Sequence, residues 1–302
     1  MIRHAGRLFL IALLMAGLVS SASAQIEDNL SAYDEDTVEG YLKPLQGALG
    51  QALNTSFYST AAIPQSGFHA RLDLKLMSVF LKDSDATFGA TPGEEFVTLP
   101  GQGPVEVSTV VGPGSSTSIP GAGGTQFVFP GGVDLSSLSL VVPQLTVGSL
   151  KGTELVLRWL AAPTNEPEIG TVSTFGIGGR HSISQYLAAS PVDLAGAFFY
   201  QKFDVESDLI KVSTWSIAAQ SSTDLLPFLR VLAALSYDSV SMSTSYTNKS
   251  GSEDQDVTTD FDTEGSLHLS LGAYLGLGPV GVQISGDLAS RAGIGLSIGG
   301  GF

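Results

Sequence analysis

The amino-acid sequence predicts an all-β fold, a transmembrane antiparallel β-barrel of about 10–12 strands preceded by a short N-terminal helical segment. Three observations predict it. The chain opens on an export signal, it is apolar yet holds no helix able to span a bilayer, and its last residues alternate with a period of two and stop on an aromatic.

The export signal comes first. Arg3, His4 and Arg7 make a positive start, residues 8–19 form an uncharged apolar run, and Ala22-Ser23-Ala24 puts small residues where a signal peptidase reads. Residues 1–24 are therefore expected to be a cleaved signal peptide, with the mature chain starting near Gln25. A retained membrane anchor is disfavoured, because crossing a bilayer takes about 20 apolar residues. The chain has no Cys, which excludes a lipid-modified N-terminal cysteine, a disulfide and a cysteine zinc site.

Composition narrows the class. Charged residues make up 14% of the chain, against about a quarter in ordinary soluble proteins, and the mean hydropathy is +0.25. The best apolar candidate for a spanning helix, residues 225–235, is short and carries Pro227 and Arg230. An exported apolar chain without a spanning helix is either a large soluble β-sandwich or a closed barrel, the other structure that satisfies every backbone group in lipid.

Strand patterning favours the barrel. Ala292, Ile294, Leu296, Ile298, Gly300 and Phe302 fall on one face, and Arg291, Gly293, Gly295, Ser297, Gly299 and Gly301 on the other. A last strand that ends on Phe302 resembles the terminal signal read by the machinery that assembles outer-membrane barrels, so Phe302 is the expected assembly signal. Phe68, Ala70, Leu72, Leu74, Leu76 and Phe80 alternate with His69, Arg71, Asp73 and Lys75. Four ionisable side chains on one face do not suit a sandwich core, but they can line a wet lumen. Leu155, Leu157 and Trp159 alternate with Glu154 and Arg158. Leu267, Leu269, Leu271, Ala273 and Leu275 oppose His268, Ser270, Gly272 and Tyr274. The lumen-facing candidates are His69, Arg71, Asp73, Lys75, Arg158 and Arg180.

Three parts follow after the signal. Residues 25–65 are expected to form an N-terminal helical plug or periplasmic segment. There Tyr41, Leu42, Leu45, Leu49 and Leu53 recur near the helical period, behind the acidic Asp34, Glu35, Asp36 and Glu39. Pro44 and Gly47 would allow a kink. Residues 66–302 are expected to form the barrel, with a Gly-, Pro- and Ser-rich insertion at 83–142 serving as surface loop, plug or lid.

Three stretches carry a family resemblance. One is Tyr41-Leu-Lys-Pro-Leu45 with Leu53-Asn-Thr-Ser-Phe-Tyr-Ser-Thr-Ala61 and Gly67-Phe68. The second is Pro143-Gln-Leu-Thr-Val-Gly148 with Lys151-Gly-Thr-Glu-Leu155 and Arg158. The third is Gly176-Ile-Gly-Gly-Arg-His-Ser-Ile183. Together they resemble a bacterial outer-membrane family known only as a domain of unknown function, over most of the mature chain. A helix ahead of a barrel is also similar in architecture to the long-chain fatty-acid transporter family. No ligand residue carries over from either likeness.

Motifs for chemistry are sparse, so no enzyme, cofactor or metal is expected. In Arg180-His181-Ser182, a strand would point His181 away from both neighbours. His69, His181 and His268 lie far apart, without a metal-ligand spacing. A Ser/His/acid set spread over several strands, as in a barrel hydrolase, would leave no local motif. Gly176, Gly178 and Gly179 lack the strand-then-helix setting of a phosphate loop and are expected to let the wall bend. Asp and Glu number 29 against 14 Lys and Arg, a net charge of −15, which becomes about −17 once Arg3 and Arg7 leave. Nucleic acid is therefore not an expected partner. Glu253, Asp254, Asp256, Asp260, Asp262 and Glu264 match no calcium loop and read as a solvated loop.

The expected function is passive passage of a small solute, hydrophobic ones included, across the outer membrane. Lipid, the barrel-assembly machinery and a hydrophobic small molecule are the expected partners. The rival is a non-transport barrel, either structural or an anchor for a surface or secretion complex. An open lumen would favour the first and a plugged, dry one the second.

Overall fold

The computed structural model describes residues 29–30, 33, 35–92, 96–148, 150–163, 171–205, 208–248 and 255–302. The signal peptide lies outside them, as do Asp34, Ser252, Glu253 and Asp254.

Among these residues, ten antiparallel strands close a barrel: β1 (His69–Phe80), β6 (Ser137–Gly148), β7 (Thr153–Pro163), β8 (Thr171–Ser182), β9 (Asp193–Val205), β10 (Ile210–Leu226), β11 (Leu229–Asn248), β13 (Glu264–Leu277), β14 (Val280–Leu288) and β15 (Ala292–Gly301). β1 pairs with β15 on one side and with β6 on the other, and β10 pairs with β11, so the sheet has no free edge along its main course. The short β12 (Gln255–Asp260) is an eleventh strand, added to the far end of β11.

Alternation works as the pattern predicts. Leu72, Ile217, Leu235, Leu271, Ile284 and Ile298 point outward and are exposed, whereas Asp73, Thr214, His268, Gln283 and Ser297 point inward and are buried. This apolar belt is bounded by aromatics at both rims. Trp159, Phe175, Trp215 and Tyr237 stand on neighbouring strands at one rim, and Phe68, Phe228, Tyr186 and Phe302 stand at the other, all exposed. Such girdles sit where a bilayer's apolar zone meets its headgroups.

The two rims differ. One carries the short connections at 150–152, 227–228 and 278–279 and is called the turn end here. The other carries the 81–136 insertion, the β11–β12 hairpin and the β14–β15 turn, and is called the insertion end. The insertion expected at 83–142 ends six residues earlier, because residues 137–142 already belong to β6, paired residue for residue with β1. The expectation failed there because 137–142 alternate Ser and Leu and then end on two valines, a weak apolar pattern that runs directly out of loop composition.

The N-terminal helix, α1 (Glu35–Leu53), buries Val38, Tyr41, Leu42, Leu45, Leu49 and Leu53, a spacing that keeps one stripe inward. The insertion folds over it as a cap built from two small hairpins. These are β2 (Thr87–Ala90) with β3 (Val105–Ser108), and β4 (Thr117–Pro120) with β5 (Gln126–Phe129). Val107, Val110, Val111, Ile119 and Phe129 of the cap form one core with the helix. The Val110 N–H donates to the Tyr41 carbonyl at 3.0 Å, and the Tyr41 hydroxyl donates to the Gly131 carbonyl at 3.1 Å. The helix runs on through Pro44. Gly47 lies under the Arg291 guanidinium, where a Cβ would stand 2.4 Å from Nη1.

Arg291, in the β14–β15 turn, ties the cap to the barrel. Its Nε and Nη2 donate to the two carboxylate oxygens of Asp85 at 2.8 and 2.7 Å, a two-pronged pair with both side chains largely buried. Burial favours the protonated Asp85, but hydrogen bonds from Arg291 and from the Lys82 N–H outweigh it and hold the carboxyl below its usual range. A depressed folded-state pKa contributes stability that is present above the ordinary carboxylate value, about 4. That contribution is lost as pH falls through the lowered value. Limited proteolysis of the folded barrel is therefore expected to leave the 81–136 cap intact at neutral pH and to cut it increasingly below about pH 4. Asp85→Ala should give a cut cap at neutral pH, since an orphaned buried guanidinium costs about 3 kcal/mol.

Candidate functional site

The lumen is the candidate site, and it is occupied by the chain's own N-terminal segment. α1 enters at the insertion end, where Gln46 Nε2 donates to the Asp262 carbonyl at 2.9 Å and Gln51 Nε2 donates to the Arg291 carbonyl at 2.7 Å. A Cβ on Gly50 would meet Cβ of Val240 at 2.7 Å, so the helix lies directly on the wall. The last helical bonds run from the Asn54 N–H to the Gly50 carbonyl and from the Thr55 N–H to the Ala52 carbonyl; the chain then continues down the barrel and emerges at the turn end, where residues 64–68 are exposed. Residues 41–58 are all buried except Lys43.

An irregular segment inside a barrel must find partners for its own peptide groups, because an unmet buried donor or acceptor costs about 1–3 kcal/mol. The wall supplies them from polar side chains. Arg158 donates through Nη1 to the Leu53 carbonyl at 2.9 Å, through Nη2 to the Thr55 carbonyl at 2.8 Å, and through Nε to Gln144 Oε1 at 2.8 Å. Gln144 Nε2 donates to the Phe57 carbonyl at 2.9 Å, and Gln201 Nε2 donates to that of Leu53. Arg180 donates to the Thr60 carbonyl, to Glu154 Oε2 at 2.7 Å and to Gln220 Oε1 at 2.9 Å. The Ala61 N–H donates to Ser222 Oγ at 2.8 Å.

Phe57 is the apolar centre of this grip. Its ring stacks on Phe199 with centroids 3.7 Å apart, and the Arg158 guanidinium lies 3.8 Å over its other side. Gly178, expected to bend the wall, instead makes room for this stack, since a Cβ there would stand 2.0 Å from the Phe199 ring.

All six lumen candidates point inward, but they do not form one site. Arg158 and Arg180 hold the threaded segment. Arg71 pairs with Asp73 at 2.8 Å and donates to the Tyr274 hydroxyl at 3.0 Å. His69, near the turn end, contacts Glu154 Oε1 at 2.7 Å. Lys75 is fully buried, with no hydrogen-bond partner for its Nζ. The expectation is a wet lumen, but Asp73, Lys75, Arg158 and Arg180 are buried and His69 and Arg71 partly so, because the threaded segment fills much of the space in front of them. His181 points outward toward the Tyr186 hydroxyl, 2.9 Å from its Nε2. Phe302 lies at the turn end with its ring 6.2 Å from that of Phe68.

A second cluster escaped sequence reasoning because its members sit on three strands. His268 Nδ1 is 2.7 Å from Asp238 Oδ2, and its Nε2 is 3.1 Å from Asp287 Oδ1. Ser270 Oγ lies 3.4 Å from the same Nε2 but donates to Asp287. Ser270, His268 and Asp238 thus stand in nucleophile–base–acid order. With a carboxylate at each ring nitrogen, however, both nitrogens act as donors and neither keeps a lone pair for a serine proton. The cluster's geometry is that of a clamp between β11, β13 and β14.

The wall parts between β6 and β7. β6 and β7 pair only from Gln144–Arg158 to Gly148–Glu154. Residues 137–143 continue beside β1, and residues 159–163 continue beside β8, but the two strands are no longer paired with each other. Pro143, which has no N–H to give a ladder, stands next to the last pair. Leu138, Leu140, Val142, Leu160 and Ala162 fall on the inward face along this parted seam, and Leu138 and Leu140 pack against Ala48 and Ala52 of α1. A proline within a strand was the signal that could have located the seam.

The chain belongs to the family described as a family of unknown function (DUF6588), whose model matches residues 3–302. No curated protein sequence matches it. Similar solved structures include the translocator domain of the autotransporter NalP from Neisseria meningitidis, at 12% identity and a TM-score of 0.32 over 89% of this chain and 98% of that one. The toluene transporter TbuX of Ralstonia pickettii aligns at 10% identity and a TM-score of 0.31 over 87% and 97%. A loop-deleted OmpT of Vibrio cholerae aligns at 11% identity and 0.29 over 78% and 98%. Likenesses this distant carry no residue role to this chain.

Arg158 makes a sharp test of the grip. In Arg158→Met the Leu53 and Thr55 carbonyls lose their charged donor, and the folded barrel should lose on the order of 3 kcal/mol in urea unfolding. Arg230→Met removes an arginine paired with the exposed Asp224 at a strand tip and should cost under about 1 kcal/mol. Equal losses would mean that Arg158 does not hold the segment.

Proposed function

We propose that this member of the DUF6588 family is an outer-membrane barrel that lets a small apolar solute pass, with the N-terminal segment closing the axial route and the parted β6–β7 seam serving as a side door. The seam carries the proposal. Elsewhere around the barrel each strand is paired with both neighbours over most of its length, and backbone groups left unpaired near lipid are costly. A parted seam lined by Leu138, Leu140, Val142, Leu160 and Ala162, at the level of the Trp159 girdle, therefore offers an apolar solute a way between barrel interior and bilayer.

The apolar outer belt supports a place in a membrane, and the uneven connections support an orientation. Barrels of this kind keep short turns on the periplasmic side and longer loops outside, which puts the cap and residues 248–256 outside the cell. Lipid and the barrel-assembly machinery are then the partners the barrel itself requires.

A second reading has an observation of its own. The gripped, buried segment at 53–61 suits a structural barrel or an anchor for a surface complex, in which the plug adds stability and nothing passes.

The seam separates the two. The chain has no cysteine of its own, so Val142→Cys with Leu160→Cys can be joined by a short bifunctional thiol reagent. Cells carrying the joined seam are expected to take up a labelled apolar probe, such as a monoaromatic hydrocarbon, several-fold more slowly than cells with the unjoined pair. Joining Ala161→Cys to Ser173→Cys across the paired β7–β8 seam should change nothing. Unchanged uptake in both would favour the structural reading. For orientation, Ser252→Cys should react with an impermeant thiol reagent on intact cells, and labelling only after lysis would reverse it.

A further inference from the structure

Between α1 and the β11–β13 wall lies a cavity of about 280 Å³. Gly47, Gly50, Gln51 and Asn54 form its helix side, and Asp238 and Val240 of β11 with Glu264 and Ser266 of β13 form its wall side. Glu264 stands directly across from Val240, and Ser266 directly across from Asp238. Ser290, exposed in the β14–β15 turn, stands at the rim, at the insertion end. The cavity lies on a different side of the helix from Ala48 and Ala52, the residues packed against Leu138 and Leu140 of the parted seam.

Its lining is polar. Val240 is the one apolar side chain and no cation takes part, among the described residues. Two polar groups there lack partners. Asn54 is more than nine-tenths buried; its Oδ1 accepts from Thr214 Oγ1 at 3.3 Å, and its Nδ2 has no acceptor. The half-buried Glu264 carboxylate receives no hydrogen bond and forms no ion pair among the described residues. Asp238 borders the same space but is already engaged by Ser216, Ser236 and His268. A buried donor without an acceptor is costly, so the empty space beside Asn54 calls for an oxygen.

We propose that this cavity binds a small neutral polyhydroxy molecule of monosaccharide size, with one hydroxyl accepting from Asn54 Nδ2 and another donating to Glu264. Hydroxyls both donate and accept, so one molecule meets the unmet amide and the unmet carboxylate together. An amine would serve Glu264 but leave the Asn54 N–H facing a positive group. An anion would serve Asn54 but lie among two carboxylates with no cation in the lining. The volume, just under the roughly 300–1,000 Å³ usual for small-molecule sites, suits a single sugar ring. The site is independent of any solute passing the seam.

Titration of the folded barrel tests it, in a detergent without a sugar headgroup, with glucose, galactose, mannose and sorbitol as probes and ethanolamine and acetate as comparisons. At least one polyhydroxy probe is expected to bind saturably, and Glu264→Ala should weaken that binding about tenfold. Asp260→Ala, which removes an exposed acid on β12 outside the cavity, should leave it unchanged. Failure of all four probes to saturate would overturn the proposal, as would binding that Glu264→Ala leaves intact or that both variants weaken equally. Should Glu264→Ala fail to assemble, wild-type crystals soaked in the tightest probe decide: a ring between Asn54 and Glu264 supports the site, and water alone overturns it.

Discussion

The peptide groups of residues 53–61 are the constraint on which the rest of this structure depends. A chain that threads a barrel without joining its sheet brings carbonyls and N–H groups into a space where water is scarce. Arg158, Arg180, Gln144, Gln201 and Ser222 are placed along the wall to meet them. Gln201 reaches across Gly176, where a Cβ would stand 2.7 Å from its Cγ, Phe57 stacks between Phe199 and the Arg158 guanidinium, and much of the lumen is buried despite its charges. A wall of polar side chains was expected to contact solvent, and it contacts backbone.

Charge is divided accordingly. Acidic residues crowd the loops and the β11–β12 hairpin, while cations gather inside, where each carbonyl they hold calls for a donor. Asp73 and Glu154 also stand inside, paired with Arg71 and Arg180, and the buried Asp238–His268–Asp287 clamp is closed by serines, with Ser216 and Ser236 donating to Asp238. A fully satisfied network of this kind is rigid, and it joins three strands on the side of the barrel away from the parted seam. The barrel thus has a tightly bonded half and one weak line in its wall.

The cap extends the same logic beyond the membrane. α1 alone would expose Tyr41, Leu42 and Leu45 at the insertion end. The cap covers them, and the Asp85–Arg291 pair fixes it to the rim. Cap, helix and threaded segment form one continuous body seated in the barrel, so loosening any of the three would be felt by the others.

The sequence by itself determined the fold class, because a two-residue alternation such as Leu72 against Asp73 and Lys75 has one stable reading when both faces are bounded, apolar against lipid and polar within. It also indicated helical periodicity within the 25–65 segment, of which the structure makes only Glu35–Leu53 helical, and put His69, Arg71, Asp73, Lys75, Arg158 and Arg180 on the inner face, since side-chain direction follows from the backbone period. Only the tertiary structure decided what that inner face meets. Arg158 finds Leu53 across more than a hundred residues, His268 finds two carboxylates on other strands, and β6 parts from β7 after a single proline. Such partners are set by register and closure around the barrel, which depend on every strand at once, and no local pattern encodes them.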